Sequence, residues 1–498
     1  MSSEAPAPPL TPTERAGERA ARNTAVQAIA EVVGKLSSLA LIVYLGRSVG
    51  PSDLGIFVFA VAYLQIVVMP IDLGLERYVL RLIAKDREEI RHAFMGALAV
   101  KATIACAVVP LSLLVLAAIG KGSGTVFATV GILMVGYLLD SAGRVITSVF
   151  MAYERNELQA ITIVVQRVGT AAVGIVLLAL GFGIVVVAGA FALGSAVTLT
   201  VAVVLFRVRL APPKLEFDPE KARPMALRSI PFAADDVLTV LLFKLDAVLL
   251  SVMATNAATG NYGAAYRLFE ATLSVNYSLS AAFAAMFAYL GHDTEPTISA
   301  VFQRAIKLAM VALVPCAAVF GVLADPLVRT LFGDGLASAA DPLRLLAPAQ
   351  IELGVVTLCS VLIVSRRRPS IMAVATAGAV ILNVVLNVML IPRLKENGAA
   401  AAMLITETAF VVLVVVLATR ETGRLGLRAT LVGPIVAGAA MVGVMFGLEH
   451  FLAAALAAGV ACYLAVLVVV ERLVAPEDVS FVTSLVRRRL GLRPRVAG

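Results

Sequence analysis

The first apolar stretch of the chain carries Asn23, Gln27, Glu31 and Lys35, each four residues beyond the last. On a helix that spacing stacks all four on one face, so an otherwise apolar segment bears a polar stripe. A second stripe lies in 228–253, where Asp235, Thr239 and Asp246 share a face and Asp236 and Lys244 flank or oppose it. A third runs along 261–290, with Arg267, Glu270, Ser274 and Tyr277 within about a quarter of the circumference. Lys101, the pair Asp140 and Arg144, and the pair Gln166 and Arg167 complete the set in the first half. The chemistry these types offer is binding. Arg presents a bidentate fork to phosphate and Lys a point charge, so Lys35, Lys101, Arg144, Arg167, Lys244 and Arg267, together with Gln27, are candidate ligands for a phosphate-bearing headgroup. The carboxylates Glu31, Asp235, Asp246 and Glu270 are candidates to take up H+ or Na+.

An ionisable side chain at the middle of a bilayer costs ~2.5–3.5 kcal/mol on insertion scales, so each of these should face a cavity or a partner. The structural alternatives are concrete. Glu31 precedes Lys35 by four, the favoured order for a local pair. An Asp–Lys lock would account for 235–246, and any cation could be neutralised by a carboxylate on a neighbouring helix. In the second half, Glu352, Thr406 and Glu407 stand beside Asn383 and Asn387, whose spacing fits interhelical hydrogen bonding better than ligand binding. Asp72, Glu76 and Arg77 read as a gate or as a solvated helix end. Arg47, in a Gly-Arg-Ser-Val-Gly turn, either meets sugar or phosphate at the exit or holds the turn.

The elements that must position these groups are membrane helices. The 498 residues are 60% hydrophobic and only 15% charged, far from a soluble domain. Apolar runs broken by charge or Gly/Pro clusters give fourteen expected spans, at 24–45, 54–73, 94–119, 125–150, 158–180, 184–206, 228–253, 261–290, 302–324, 345–365, 370–391, 398–419, 429–448 and 451–471. Starting from an inner N-terminus, the inner segments hold 29 of the 41 Lys and Arg and the outer segments 6. That asymmetry supports N-in and C-in in the cytoplasmic membrane. The net charge of +8 is then an orientation signal and a hold on anionic membrane lipids, not a nucleic-acid footprint. Residues 1–23 read as a disordered cytoplasmic tail without the apolar core of a signal peptide. Residues 473–498 read as a basic interfacial helix.

Other chemistries are excluded. Cys106, Cys316, Cys359 and Cys462 lie in apolar runs without CxxC spacing, and His92, His292 and His450 are far apart. Neither a disulfide framework nor a metal or haem site is indicated, there is no GxxxxGK[ST] loop, and no cofactor is expected.

The chain also repeats. YLGRSVGPSDLGIFVFAVAY (44–63) matches VMATNAATGNYGAAYRLFE (252–270) in pattern, and MAYERNELQAITIVVQ (151–166) matches IVSRRRPSIMAVATAG (363–378), at offsets of 205 to 214 residues. Two lobes of six spans, 24–206 and 228–419, therefore enter the membrane from the same side as parallel repeats. A linker at 207–227 joins them, and two further helices follow at 420–472.

The stretch LGRSVGPSDLGIFVFAVAYLQIVVMPIDLGLERYVLRLIA (45–84) resembles the N-terminal signature of polysaccharide transporters, the O-antigen and exopolysaccharide flippases. SIPFAADDVLTVLLFKLDAVLLSVMATNAATGNYGAAYRLFE (229–270) is similar to their second-half signature. The resemblance spans roughly 24–420 and implies the all-α MATE-like fold of the multidrug and oligosaccharide flippase superfamily, with two six-helix bundles in a V around a cavity of alternating access. It implies a polyprenyl-pyrophosphate-linked oligosaccharide as cargo and glycosyltransferases and a glycan polymerase as neighbours in the pathway. Three other readings stand beside it. A cation-coupled drug exporter would want a more acidic interior. A membrane glycan polymerase or ligase would need a catalytic set on an outer loop, and Asp325, Arg329, Asp334, Asp341 and Arg344 in 325–344 form none. A non-transporting assembly scaffold would not need the polar stripes.

Overall fold

The computed structural model describes the backbone of residues 12–122, 124–210, 214–289, 295–365, 369–422 and 427–474. Of the tails expected at 1–23 and 473–498, residues 1–11 and 475–498 lie outside the described residues, as do the side chains of 12–25, Asp235, Ser274 and Tyr277, and from Pro12 the backbone is helical where a disordered tail was expected. Fifteen α-helices are described and no strand.

The first helix, α1, runs Pro12–Asp72 and breaks at Gly50, whose φ of 79° an L-side chain adopts only at a cost. Pro51 restarts the helix, its fixed φ suited to a first turn. The first two expected spans are thus one element bent at a glycine. α2 (Leu75–Lys85) follows Gly74, at φ 64°, and buries Leu75, Val79 and Ile83, four apart, on one face. The remaining helices are α3 (Ile90–Ala118), α4 (Gly124–Ala152), α5 (Asn156–Ala179), α6 (Ile184–Leu205), α7 (Pro219–Met253), α8 (Asn256–Tyr289), α9 (Glu295–Val322), α10 (Ala324–Phe332), α11 (Ala340–Ser365), α12 (Pro369–Leu394), α13 (Glu396–Thr422), α14 (Leu427–Gly447) and α15 (Leu452–Val474).

Among the described residues, eleven segments are long and apolar enough to cross a membrane, and the first of them, Val26–Asp72, holds both spans of α1. The expected seventh and eighth spans, on α7 and α8, are helices of 35 and 34 residues outside that set. Large apolar side chains such as Leu114, Leu180 and Val374 are exposed, as lipid-facing surfaces require.

Packing divides the chain into two compact units. The first comprises the chain up to Ser48 and Phe59–Lys244; the second comprises Val49–Val58 and everything from Leu245. In the first, α4 packs on α6 and α2, and α5 on α6. The buried face of α2 enters a core with Phe94, Val145, Val149, Phe150, Phe206 and Met225. Gly74 is required there as well as in its turn, because a Cβ would lie 2.7 Å from the Ala233 nitrogen. In the second unit α11 packs against α13, α8 and α9, and α14 lies on α9 and α15. Lys307 of α9 and Glu471 of α15 form a buried ion pair at 2.5 Å, and Tyr463 donates to the Val311 carbonyl at 3.0 Å. Those contacts tie the last helix to the body.

Candidate functional site

In the first unit the polar side chains converge on the C-terminal end of α1. Lys101, 4% exposed on α3, places its ammonium 2.8 Å from Asp72 Oδ1, 3.1 Å from Glu76 Oε1 and 2.7 Å from the Ser141 carbonyl. Arg144, one turn beyond Asp140 on α4, donates from Nε to Glu76 at 2.8 Å and from Nη2 to Asp72 Oδ2 at 2.5 Å. Ser141 also donates to Asp72 at 2.5 Å. Two cations and two carboxylates from four helices therefore form a closed, charge-balanced network. Its burial costs several kcal/mol per ion, which these contacts offset only as a complete set. Asp140 turns instead to α5, where Gln166 donates to it at 2.5 Å.

The reading of Asp72, Glu76 and Arg77 as a solvated helix end is corrected for Asp72, which is only 8% exposed. Arg77 is more open and donates to Asp236 of α7 at 2.6 Å. One turn further along α2, Arg81 stacks over the Phe232 ring at 4.7 Å. Beside these contacts lies a cavity of about 410 Å³, lined among others by Gln65, Asp72, Arg77, Arg144, Asp236 and Thr239. On the α1–α5 face, Arg167 donates to Glu31 at 2.9 Å and its side chain packs on Gly34. Gln27, Lys35 and Lys244 are half-buried and Arg47 is exposed.

In the second unit the centre is Asp246, fully buried on α7. Asn387 Nδ2 donates to Asp246 Oδ1 at 2.7 Å, and the same nitrogen reaches the Asn383 carbonyl at 2.9 Å and Asn383 Oδ1 at 3.0 Å. Tyr262 of α8 donates to Asp246 Oδ2 at 3.0 Å. Asn383 and Asn387, read as interhelical glue, thus bond α12 to α7 through a carboxylate. Arg267 pairs with Glu270 at 2.7 Å, within α8. Glu352 and Glu407, which sequence reasoning noted without assigning a role, lie in this unit with no basic partner among the described residues. Nothing in their spacing signals this, since what surrounds them is set by other helices.

The segment after α9, expected as an outer loop, is helical, and its charges are satisfied locally. Arg329 pairs with Asp334 at 2.6 Å and Asp325 at 3.5 Å, and Arg344 with Asp341 at 2.9 Å. The hydrogen bond to Asp334, with Asp325 beside it, raises the Arg329 guanidinium further above its ordinary value. In the loop before α4, burial lowers the Lys121 ammonium, which lies 5.7 Å over the Phe59 ring.

Long apolar helices that enclose charged networks define a polytopic membrane protein, and comparison with known proteins narrows this. Residues 20–289, more than half of the chain, match the family described as polysaccharide biosynthesis protein, and the chain belongs to that family. It is 24% identical over 391 residues to the probable low-salt glycan biosynthesis flippase Agl15 of Haloferax volcanii, covering 77% of this chain and 80% of that one. Among solved structures it is similar to the lipid II flippase MurJ in an inward closed conformation, with a TM-score of 0.76 at 14% identity over 90% of this chain and 98% of that one. An inward-facing multidrug resistance MATE family transporter of the MOP superfamily gives 0.68 at 14% identity, over 78% and 94%. The fold is MATE-like.

Proposed function

We propose that this protein is a flippase that moves a polyprenyl-pyrophosphate-linked oligosaccharide across the cytoplasmic membrane by alternating access. The observation that carries the reading is the placement of ionisable side chains in the interior of a MATE-like helical body, in a chain of the polysaccharide biosynthesis family. Transport of this kind needs no covalent chemistry. Similarity to a protein named as a glycan biosynthesis flippase favours a lipid-linked glycan over a drug as cargo. The lobes are assigned to 24–206 and 228–419, with both termini cytoplasmic, in keeping with the distribution of Lys and Arg.

The cations divide by their surroundings. Lys101 and Arg144 are committed to Asp72 and Glu76 and would hold the inner end of the lobe in shape. Lys35, Arg167 and Lys244, all part-exposed in the first unit, would meet the pyrophosphate. Arg77 and Asp236 would form an inner gate, a pair exposed enough to open at small cost. Coupling to an ion falls to Asp246. Asp246 Oδ1, the Asn383 carbonyl and Asn383 Oδ1 converge on one amide nitrogen, and rotation of the Asn387 amide would turn that donor point into an all-oxygen site for Na+. Ion uptake there would bias the equilibrium between lobe states.

Deletion of the gene in its own host tests the proposal. Lipid-linked oligosaccharide should accumulate on the inner leaflet and return to normal on complementation; unchanged export with no accumulation would refute it.

A further inference from the structure

Glu407 sits on α13, 1% exposed, with Oε2 buried and without a hydrogen-bond partner. Among the described residues no lysine or arginine pairs with it. The charged groups acting on it are Glu352 of α11 and Asp246 of α7, both carboxylates. Of the other elements packed on α13, α8 brings Tyr262, which touches Met403 one turn before Glu407 and gives its hydroxyl to Asp246. On α8, Arg267 pairs with Glu270. From α12 come the neutral Asn383 and Asn387, and on α9 Lys307 is engaged by Glu471.

Among the described residues Glu407 is thus sealed with no basic partner, while the buried Asp246 and the half-buried Glu352 act on it, and like charges so placed oppose its ionisation. Donors decide which gives way. Asp246 receives two hydrogen bonds and Glu352 receives one, on Oε1 from Thr408 at 2.8 Å, whereas Oε2 of Glu407, like Oε2 of Glu352, receives none. A protonated carboxyl needs no donor there. Glu352 is half-buried where Glu407 is sealed, so it is the member of the group nearer to solvent.

We propose that Glu407 is a proton-binding site, loaded and emptied through Glu352. The step is a simple relay: a proton passes from water to the Glu352 carboxylate and from there to Glu407, and no other bond is made or broken. This site is separate from the oxygen cluster around Asp246. It deepens the ion-coupled reading above but exists or not independently of cargo.

The test is therefore spectroscopic and uses the purified full-length chain in liposomes. Infrared spectra at neutral pH should contain a protonated-carboxyl carbonyl stretch that shifts in heavy water. Glu407→Gln should lose that band while keeping the wild-type melting profile, because Gln is close in shape to the neutral acid. If the Gln variant does not fold, Glu407→Asp should move the band. An undiminished, unmoved band in the folded variant overturns the proposal. Glu352→Gln should keep the band and slow its exchange into heavy water; unchanged exchange overturns the relay. Failure of lipid transport would leave all of these results standing.

Discussion

Gly55 and Gly260, 205 residues apart and at equivalent places in the two repeats, pack backbone against backbone in the second unit. A Cβ on Gly55 would lie 2.9 Å from the Gly260 nitrogen, and one on Gly260 would lie 3.1 Å from the Gly55 nitrogen, with the Asn256 and Pro51 carbonyls closer still. The 44–63 and 252–270 segments match because each must present a bare backbone to the other. Replacing either glycine by valine should destabilise the protein by ~1–3 kcal/mol through overpacking. Gly321→Ala, where a Cβ meets nothing within 4 Å, should be neutral or stabilising. Thermal unfolding in detergent reads both.

The Lys101 network predicts a steep cost for leaving it incomplete. Lys101→Met strands Asp72 and Glu76 with Arg144 alone and should cost ~3–5 kcal/mol, as breaking a buried pair does. Ser141→Ala removes hydroxyl bonds only and should cost ~1 kcal/mol. Unfolding midpoints that ranked the two the other way would contradict a structural role for Lys101.

Opening of the inner gate should depend on the sign of two charges. With Arg77→Ala, a cysteine placed at Thr239, which lines the adjacent cavity, should react faster with a hydrophilic thiol reagent added from the cytoplasmic side. The gain should be at most ~5-fold, since a part-exposed pair contributes no more than ~1 kcal/mol. Exchanging the charges, with Asp at 77 and Arg at 236, should restore the wild-type rate.

The Asp246 cluster predicts stabilisation by the coupling ion. Na+ at about a hundredfold over its Kd should raise stability by ~2.7 kcal/mol, and Asp246→Asn should abolish that response without unfolding the chain. Choline at equal ionic strength is the control, and an equal shift with choline would rule out a Na+ site.

Sequence patterning made the helical class, most spans and the membrane-buried ionisable residues legible, because period and composition are local properties. The break at Gly50 was visible only as a turn between two spans, and it leaves one continuous element. Partners were not legible. Glu31 precedes Lys35 at the favoured spacing, yet its Oε2 accepts from Arg167 on α5. Arg144 stands one turn from Asp140 but donates to Asp72 and Glu76 on other elements. A helix face can be read from one strand of sequence, whereas the choice among several opposite charges is made by packing between distant segments. Glu407 was noted without a role for the same reason: its lack of a counter-charge among the described residues is a property of its neighbours.

Transport itself is tested most directly in proteoliposomes. A fluorescent polyprenyl-pyrophosphate oligosaccharide loaded in the inner leaflet should become accessible to an external quencher with wild-type protein, and at least tenfold more slowly with Lys244→Ala, a loss of ~1.4 kcal/mol in the transport barrier. Wild-type protein that is folded and reconstituted yet leaves the lipid as inaccessible as in empty liposomes would contradict the flippase assignment.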